Sequence, residues 1–204
     1  CVALAGYLTD LIETRRKSPA DDLLSALIAA EEAGDRLDTD ELIAMVLLLL
    51  VAGHETTANL VGNGLVALLR HPTELARWRS DPSLDRSAVE ELLRFDSPVQ
   101  MAQRITLDDV ELVGQSIPAG RMIILCTGAA NRDPEAFVDP NRLDLGRSPN
   151  PHISFGGGSH FCLGAALARV EARIVLTHLI RRLPGLRLAG KPVRRPSFTI
   201  RGLE

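Results

Sequence analysis

Apolar residues recur at helical spacing along most of this chain and switch to alternation over one central stretch. Val2 to Arg16 predicts an amphipathic helix, and Asp21 to Ala33 a second that stops at Gly34. Asp38, with Glu41 three residues on, makes a capping-box-like start to a long helix reaching about Arg70. At 1.5 Å per residue that helix would extend roughly 45 Å. Pro72 and the acidic residues after it predict a short helix through Arg79, and Ser87 to Phe95 another that ends ahead of Pro98. Over residues 99–126 apolar positions alternate between the turn signals Asp108-Asp109, Val113-Gly114 and Pro118-Ala119-Gly120, so short strands are expected, Arg121 to Leu125 among them. Asn131 to Pro151 has little periodicity and reads as an ordered meander. Leu163 to Leu183 is apolar at helical spacing, and Ser197 to Arg201 closes the chain as a further strand. The fold class is therefore mainly α with a small β-sheet (α+β).

Composition sharpens this. Hydrophobic residues make up 46% of the 204 positions, enough for a sizeable core, and aromatic residues only 3%, so the helices pack by aliphatic side chains. The longest apolar run, Leu42 to Gly53, lies between Glu41 and Glu55. It is shorter than the roughly 20 residues a bilayer requires, so it reads as a core helix and no membrane segment is expected. Cys1, Cys126 and Cys162 lie far apart with no zinc spacing and no disulfide framework. A reducing, cytoplasmic setting fits them, with Cys126 expected as an inert buried thiol.

Charge is unevenly spread. Residues 1–146 carry 13 basic and 24 acidic side chains, whereas residues 147–204 carry 10 basic and 2 acidic. Arg169, Arg173, Arg181 and Arg182 lie on or just after the last helix, where a positive patch could face an acidic protein. Nucleic acid is not an expected partner, because stacking aromatics are nearly absent and the pI is about 6.0.

The chemistry concentrates in Phe155 to Gly164, F-G-G-G-S-H-F-C-L-G. With Gly near 7% of residues and other types at a few per cent, the set Phe155, Gly156, Gly158, His160, Cys162 and Gly164 would coincide by chance at a given site with probability on the order of 10^-8. Glycines let the backbone approach a flat ligand closely, and a sulfur at the start of a helix is favoured as thiolate by the unpaired N–H groups there. A buried core thiol is the alternative reading of Cys162. In the long helix, Ala52-Gly53-His54-Glu55-Thr56-Thr57 sets an acid beside a hydroxyl after a small-small pair. Gly lowers helix stability, and a Thr hydroxyl can bond back one turn, so a local distortion is expected.

The ten-residue run resembles the haem-binding loop of the cytochrome P450 family, and the hexapeptide is similar to that family's oxygen-binding stretch, A-G-x-[D/E]-T-T. The resemblance implies Cys162 as axial ligand of the iron of haem b, with Phe155, Gly156, Gly164, Ala52 and Gly53 in the cofactor's surroundings. It implies Thr56 as hydrogen-bond partner of dioxygen and Glu55 as part of a proton relay. Glu91 and Arg94 stand three apart on one helix, where side chains meet. With A-N-R-D-P and F-V-D-P-N-R-L-D after them, they resemble the family's buried triad, in which Arg142 would be the third member. Arg104, His152 and His160 would contact the haem propionates. Val99, Gln100, Met101, Ala102 and Phe198 would wall the substrate pocket.

The resemblance covers the chain as the C-terminal half of a single P450 catalytic domain. Residues 1–204 alone are therefore expected to bind haem weakly or not at all. The implied activity is a monooxygenase acting on a hydrophobic small molecule with dioxygen, taking electrons from NAD(P)H through a ferredoxin or flavodoxin-type partner. A peroxide-driven peroxygenase, and an inactive fragment serving as a helical interaction module, are the alternatives.

Overall fold

The computed structural model describes residues 2–32 and 38–204. The stop at Ala33 and Gly34 and any role of Cys1 lie outside the described residues. The helices are α1 (Val2–Lys17), α2 (Leu23–Glu32), α3 (Thr39–Arg70), α4 (Pro72–Ser80), α5 (Asp85–Phe95), α6 (Thr127–Ala130) and α7 (Ala165–Arg182). The strands are β1 (Ala102–Ile105), β2 (Val110–Leu112), β3 (Gln115–Ile117) and β4 (Met122–Leu125).

Two compact units divide the chain, Cys1–Glu55 and Thr56–Glu204, and the division falls inside α3. In the first unit, α2 begins where Asp22 accepts the Ser25 backbone N–H at 2.8 Å while also pairing with Arg15 at 2.7 Å. The capping box forms as expected. The Glu41 N–H donates to Asp38 Oδ1 at 2.8 Å and the Asp38 N–H donates to Glu41 Oε2 at 2.9 Å. Ile12, Ile28 and Leu42 form the buried core of this unit.

Ile43 and Val46 pack against this core as expected, but the later part of the apolar run in α3 departs from the expected core helix. Leu48, Leu50 and Val51 are exposed, and α3 is long and apolar enough, by length and composition, to cross a bilayer. The charges bounding the run shorten only its uninterrupted part, because the residues beyond Glu55 are again largely apolar. Residues 52–57 lie in unbroken α-helix. A single interior glycine costs about 1 kcal/mol, which a 32-residue helix anchored at both ends absorbs.

The second unit is built on a core of Leu60, Leu68, Trp78, Val89, Leu92, Leu145, Leu176 and Ile180 from α3, α4, α5, α7 and the meander. Trp78 is fully buried and donates its indole N–H to Asp85 at 2.9 Å, so it fills volume without leaving a polar atom unpaired. Instead of one sheet there are two antiparallel pairs, β1 with β4 (Ala102 opposite Leu125) and β2 with β3 (Val110 opposite Ile117). Val113 and Gly114, with φ of 51° and 74°, make the β2–β3 turn, which fits the glycine at its second position. The expected strand at Ser197 to Arg201 reduces to one bridge, Val99 opposite Ile200, flanked by the Gln100 N–H to Thr199 and the Arg201 N–H to Pro98.

Candidate functional site

Residues 152–164 link the meander to α7 and carry the cysteine. Their first residues are pinned: the Ile153 N–H donates to Asn131 Oδ1 at 2.8 Å, and the Ser154 hydroxyl donates to the Leu93 carbonyl at 2.8 Å. Gly156 and Gly158 adopt φ of 72° and 64°, a region closed to most side-chain-bearing residues, and turn the chain back. The Cys162 N–H then returns to the Phe155 carbonyl at 2.9 Å. Gly164 caps α7, so Cys162 sits just ahead of the helix and not in its first turn.

The thiol is exposed, which removes the buried-core reading. Phe161, Leu163 and, one turn on, Leu167 are also exposed, and a Cβ built on Gly157, Gly158 or Gly164 would meet no atom within 4 Å. An accessible soft donor beside open, apolar, side-chain-free backbone suits a flat metallocycle. No cluster of three His, Cys, Asp or Glu residues that could hold a bare ion occurs among the described residues. The donor set therefore fits a metal that arrives in its own macrocycle and takes one protein sulfur.

The other predicted cofactor contacts divide. Arg104, on β1, is exposed, and its guanidinium donates to the neighbouring Gln103 carbonyl at 2.8 Å. His160 is exposed in the turn before Phe161. His152 does not fit a propionate contact: its ring is 3% exposed, Nε2 meets Glu90 Oε2 at 2.9 Å, and Nδ1 accepts the Ser154 N–H at 3.3 Å. An acceptor Nδ1 makes Nε2 the protonated nitrogen, so both ring atoms are engaged in bracing the loop. Thr56 is half-buried on α3 within the second unit, as Cys162 is, whereas Ala52, Gly53 and Glu55 belong to the first. Cys126, expected buried, is exposed ahead of α6.

The triad is corrected in one member. Glu91 and Arg94 are fully buried and bidentate, Arg94 Nε to Oε2 at 2.7 Å and Nη2 to Oε1 at 2.8 Å. The third cation is Arg147, whose Nε lies 3.2 Å from Glu91 Oε2. Arg142 turns its side chain outward and contributes its carbonyl to Arg94 Nη2 at 3.1 Å and to Arg147 Nη2 at 3.2 Å. Arg94 Nη1 takes the carbonyls of Asn131 and Pro140, both at 2.8 Å. All five donors of the guanidinium are thereby matched. The Asp144 N–H and Asn150 Nδ2 complete Glu91 at 2.9 and 3.2 Å. A cleft of about 310 Å³ opens beside this network, and of the predicted site residues only Arg142 lines it.

Glu90, one residue before Glu91, was not singled out by sequence. Its carboxylate takes Arg169 Nε at 2.7 Å on Oε1, and Arg169 Nη2 at 3.0 Å with His152 on Oε2. Burial opposes its ionisation, but these donors outweigh burial and hold the carboxyl at about 2, down from 4.5. A depressed carboxyl contributes stability that is complete above pH 4.5 and lost as the pH falls toward 2. Wild-type protein is thus expected to lose stability more steeply over that window than Glu90→Gln, as measured by urea midpoints; parallel curves would refute the assignment.

Of the pocket candidates, Val99 pairs with Ile200, bringing Val99, Met101 and Ala102 onto the segment facing the turn that carries the exposed Phe198. Gln100 has a structural part in this segment. Its amide donates to the Ser97 carbonyl at 2.6 Å and packs over Gly128, where a Cβ would meet Oε1, so it braces the segment. The basic patch is smaller than charge counting implied. Arg169 is paired with Glu90, and Arg181 with Asp85 at 2.5 Å, leaving Arg173 and Arg182 without an ion pair among the described residues.

Comparison with known proteins agrees with this geometry. The family model "Cytochrome P450" matches residues 1–81 and 83–186. Cytochrome P450 107B1 of Saccharopolyspora erythraea is 52% identical over 100% of this chain and 51% of its own length. Vitamin D(3) 25-hydroxylase of Pseudonocardia autotrophica is 52% identical over 98% of this chain and 51% of its own. The crystal structure of P450BioI in complex with hexadec-9Z-enoic acid ligated acyl carrier protein superposes with a TM-score of 0.94 at 44% identity, covering 100% of this chain and 52% of that one. The chain spans about half the length of the curated relatives it matches. By sequence model, close relatives and fold together, it belongs to the cytochrome P450 family.

Proposed function

We propose that this chain carries the cysteine-ligating part of a haem-thiolate monooxygenase acting on a hydrophobic small molecule. The observation that carries the reading is the exposed Cys162 thiol, held by its own N–H on the Phe155 carbonyl, beside glycine backbone with no side chains over it. When bound, haem b supplies dioxygen activation: one oxygen atom enters a C–H or C=C bond and the other leaves as water, with two electrons and two protons taken up. Cys162 would hold the iron. Arg104 and His160 would hold the propionates, both being exposed and polar.

Thr56 and Glu55 would move protons, Thr56 as a hydroxyl that donates and accepts and Glu55 as the acid beside it; this rests on the sequence pattern. Val99, Met101, Ala102 and Phe198 offer apolar surface to substrate. The relatives named for vitamin D(3) 25-hydroxylation and for binding a fatty acyl chain on a carrier protein favour a long lipophilic substrate here too. Electrons from NAD(P)H would arrive through a small acidic ferredoxin or flavodoxin, meeting Arg173 and Arg182, in a cytoplasmic setting.

Spectral titration of the full-length protein tests this directly. A lipophilic library is expected to contain ligands that displace the iron-bound water, and product should form with reductase plus NAD(P)H. Steady product formation from peroxide alone would instead favour the peroxygenase.

A further inference from the structure

The two adjacent acids on α5 serve different partners. Glu91 gathers the meander, as described, while Glu90 lies roughly 100° further round the helix and meets the cysteine loop and α7. The geometry points to Glu90 as a positioning residue for the Cys162 loop, fixing its upstream limb through His152 and its downstream limb through Arg169.

Each link is visible. His152 begins the loop, and its protonated Nε2 donates to Glu90 at 2.9 Å. Arg169 lies on α7, one turn past its start, and forks onto both carboxylate oxygens at 2.7 and 3.0 Å. Held in that fork, the guanidinium lies 4.4 Å from the centre of the Phe155 ring, in cation–π contact. The His152 ring flanks the same phenyl at 6.2 Å, and Phe161 lies 6.3 Å from it on the loop's far limb. The carbonyl of Phe155 is the acceptor for the Cys162 N–H. A single carboxylate therefore fixes the phenyl group whose own backbone fixes the cysteine. A planar fork that both pairs and stacks is a task lysine cannot perform.

The inference rests on the proposed function only in its second readout, so the experiment has two arms. In haem-free full-length protein, amide hydrogen exchange at Phe161, Cys162 and Leu163 is expected to quicken about tenfold in Glu90→Gln, with the β2–β3 hairpin unchanged. Arg169→Lys keeps the charge but loses the fork and the stacking, and should act in the same direction; it also answers for Glu90→Gln if that variant folds poorly. In the haem-loaded protein, both variants should convert part of the red-shifted ferrous carbonyl band to the form lacking thiolate ligation, and Glu90→Asp should restore part of it. Wild-type exchange rates at the loop in both variants, or an equal rise in the hairpin, would overturn the positioning role. A wild-type protein with no thiolate-type band would defeat the functional reading alone, because the exchange arm needs no haem.

Discussion

Cys162→Ala abolishes the red-shifted ferrous carbonyl band of the full-length protein and lowers product formation by about a thousandfold or more. A thousandfold corresponds to about 4 kcal/mol of transition-state stabilisation, a magnitude expected when the group that pushes electron density onto the iron is removed. The effect should be chemical and not structural. Cys162 is exposed, and its backbone N–H, not its sulfur, holds the loop to Phe155. In the haem-free protein the variant should therefore unfold at the wild-type urea midpoint. Cys126→Ala is the matched control, another exposed thiol with no part in the loop, and should leave band and turnover intact. Persistence of the band in Cys162→Ala would remove the basis for the site.

Glu91→Ala destabilises the protein by about 3–5 kcal/mol, the cost of leaving a buried guanidinium without its counter-ion. Against a total of about 5–15 kcal/mol for an ordinary domain, this depopulates the folded state substantially. Both side chains of the Glu91–Arg94 pair are 0% exposed, so water cannot replace the lost partner. The sharper test separates the two arginines of the meander. Arg147 is 10% exposed and contacts Glu91, so Arg147→Ala should cost about 1–3 kcal/mol. Arg142→Ala leaves the carbonyl used by Arg94 in place and should stay within about 0.5 kcal/mol. Urea midpoints of the purified variants decide this, and a larger loss at Arg142 than at Arg147 would reverse the corrected triad.

Features governed by local chemistry could be read from the chain itself. The Asp38–Glu41 capping box, the turn at Val113-Gly114 and the glycines around Cys162 depend on residues within a few positions of one another, and each forms. The Glu91–Arg94 pair was readable because three residues on a helix share a face. Its third member was not, since an irregular meander has no period to say whether Arg142 or Arg147 turns inward. Glu90 escaped for a related reason: its partners, His152 and Arg169, lie 62 and 79 residues away. Gly53 leaves α3 unbroken because propensity is a weak prior inside a long helix. The expected core role held at Leu42, Ile43 and Val46 but not at Leu48, Leu50 and Val51, because an apolar run declares a need for cover without saying what supplies it.

Arg94 hydrogen-bonds the meander through main-chain oxygens, those of Asn131, Pro140 and Arg142. Such recognition is blind to side-chain identity at Pro140 and Arg142. The path of that segment can stay constant while its outward lettering is rewritten, which makes the exposed positions Val138 and Arg142 a natural place to retune the protein's exterior without disturbing the cysteine loop.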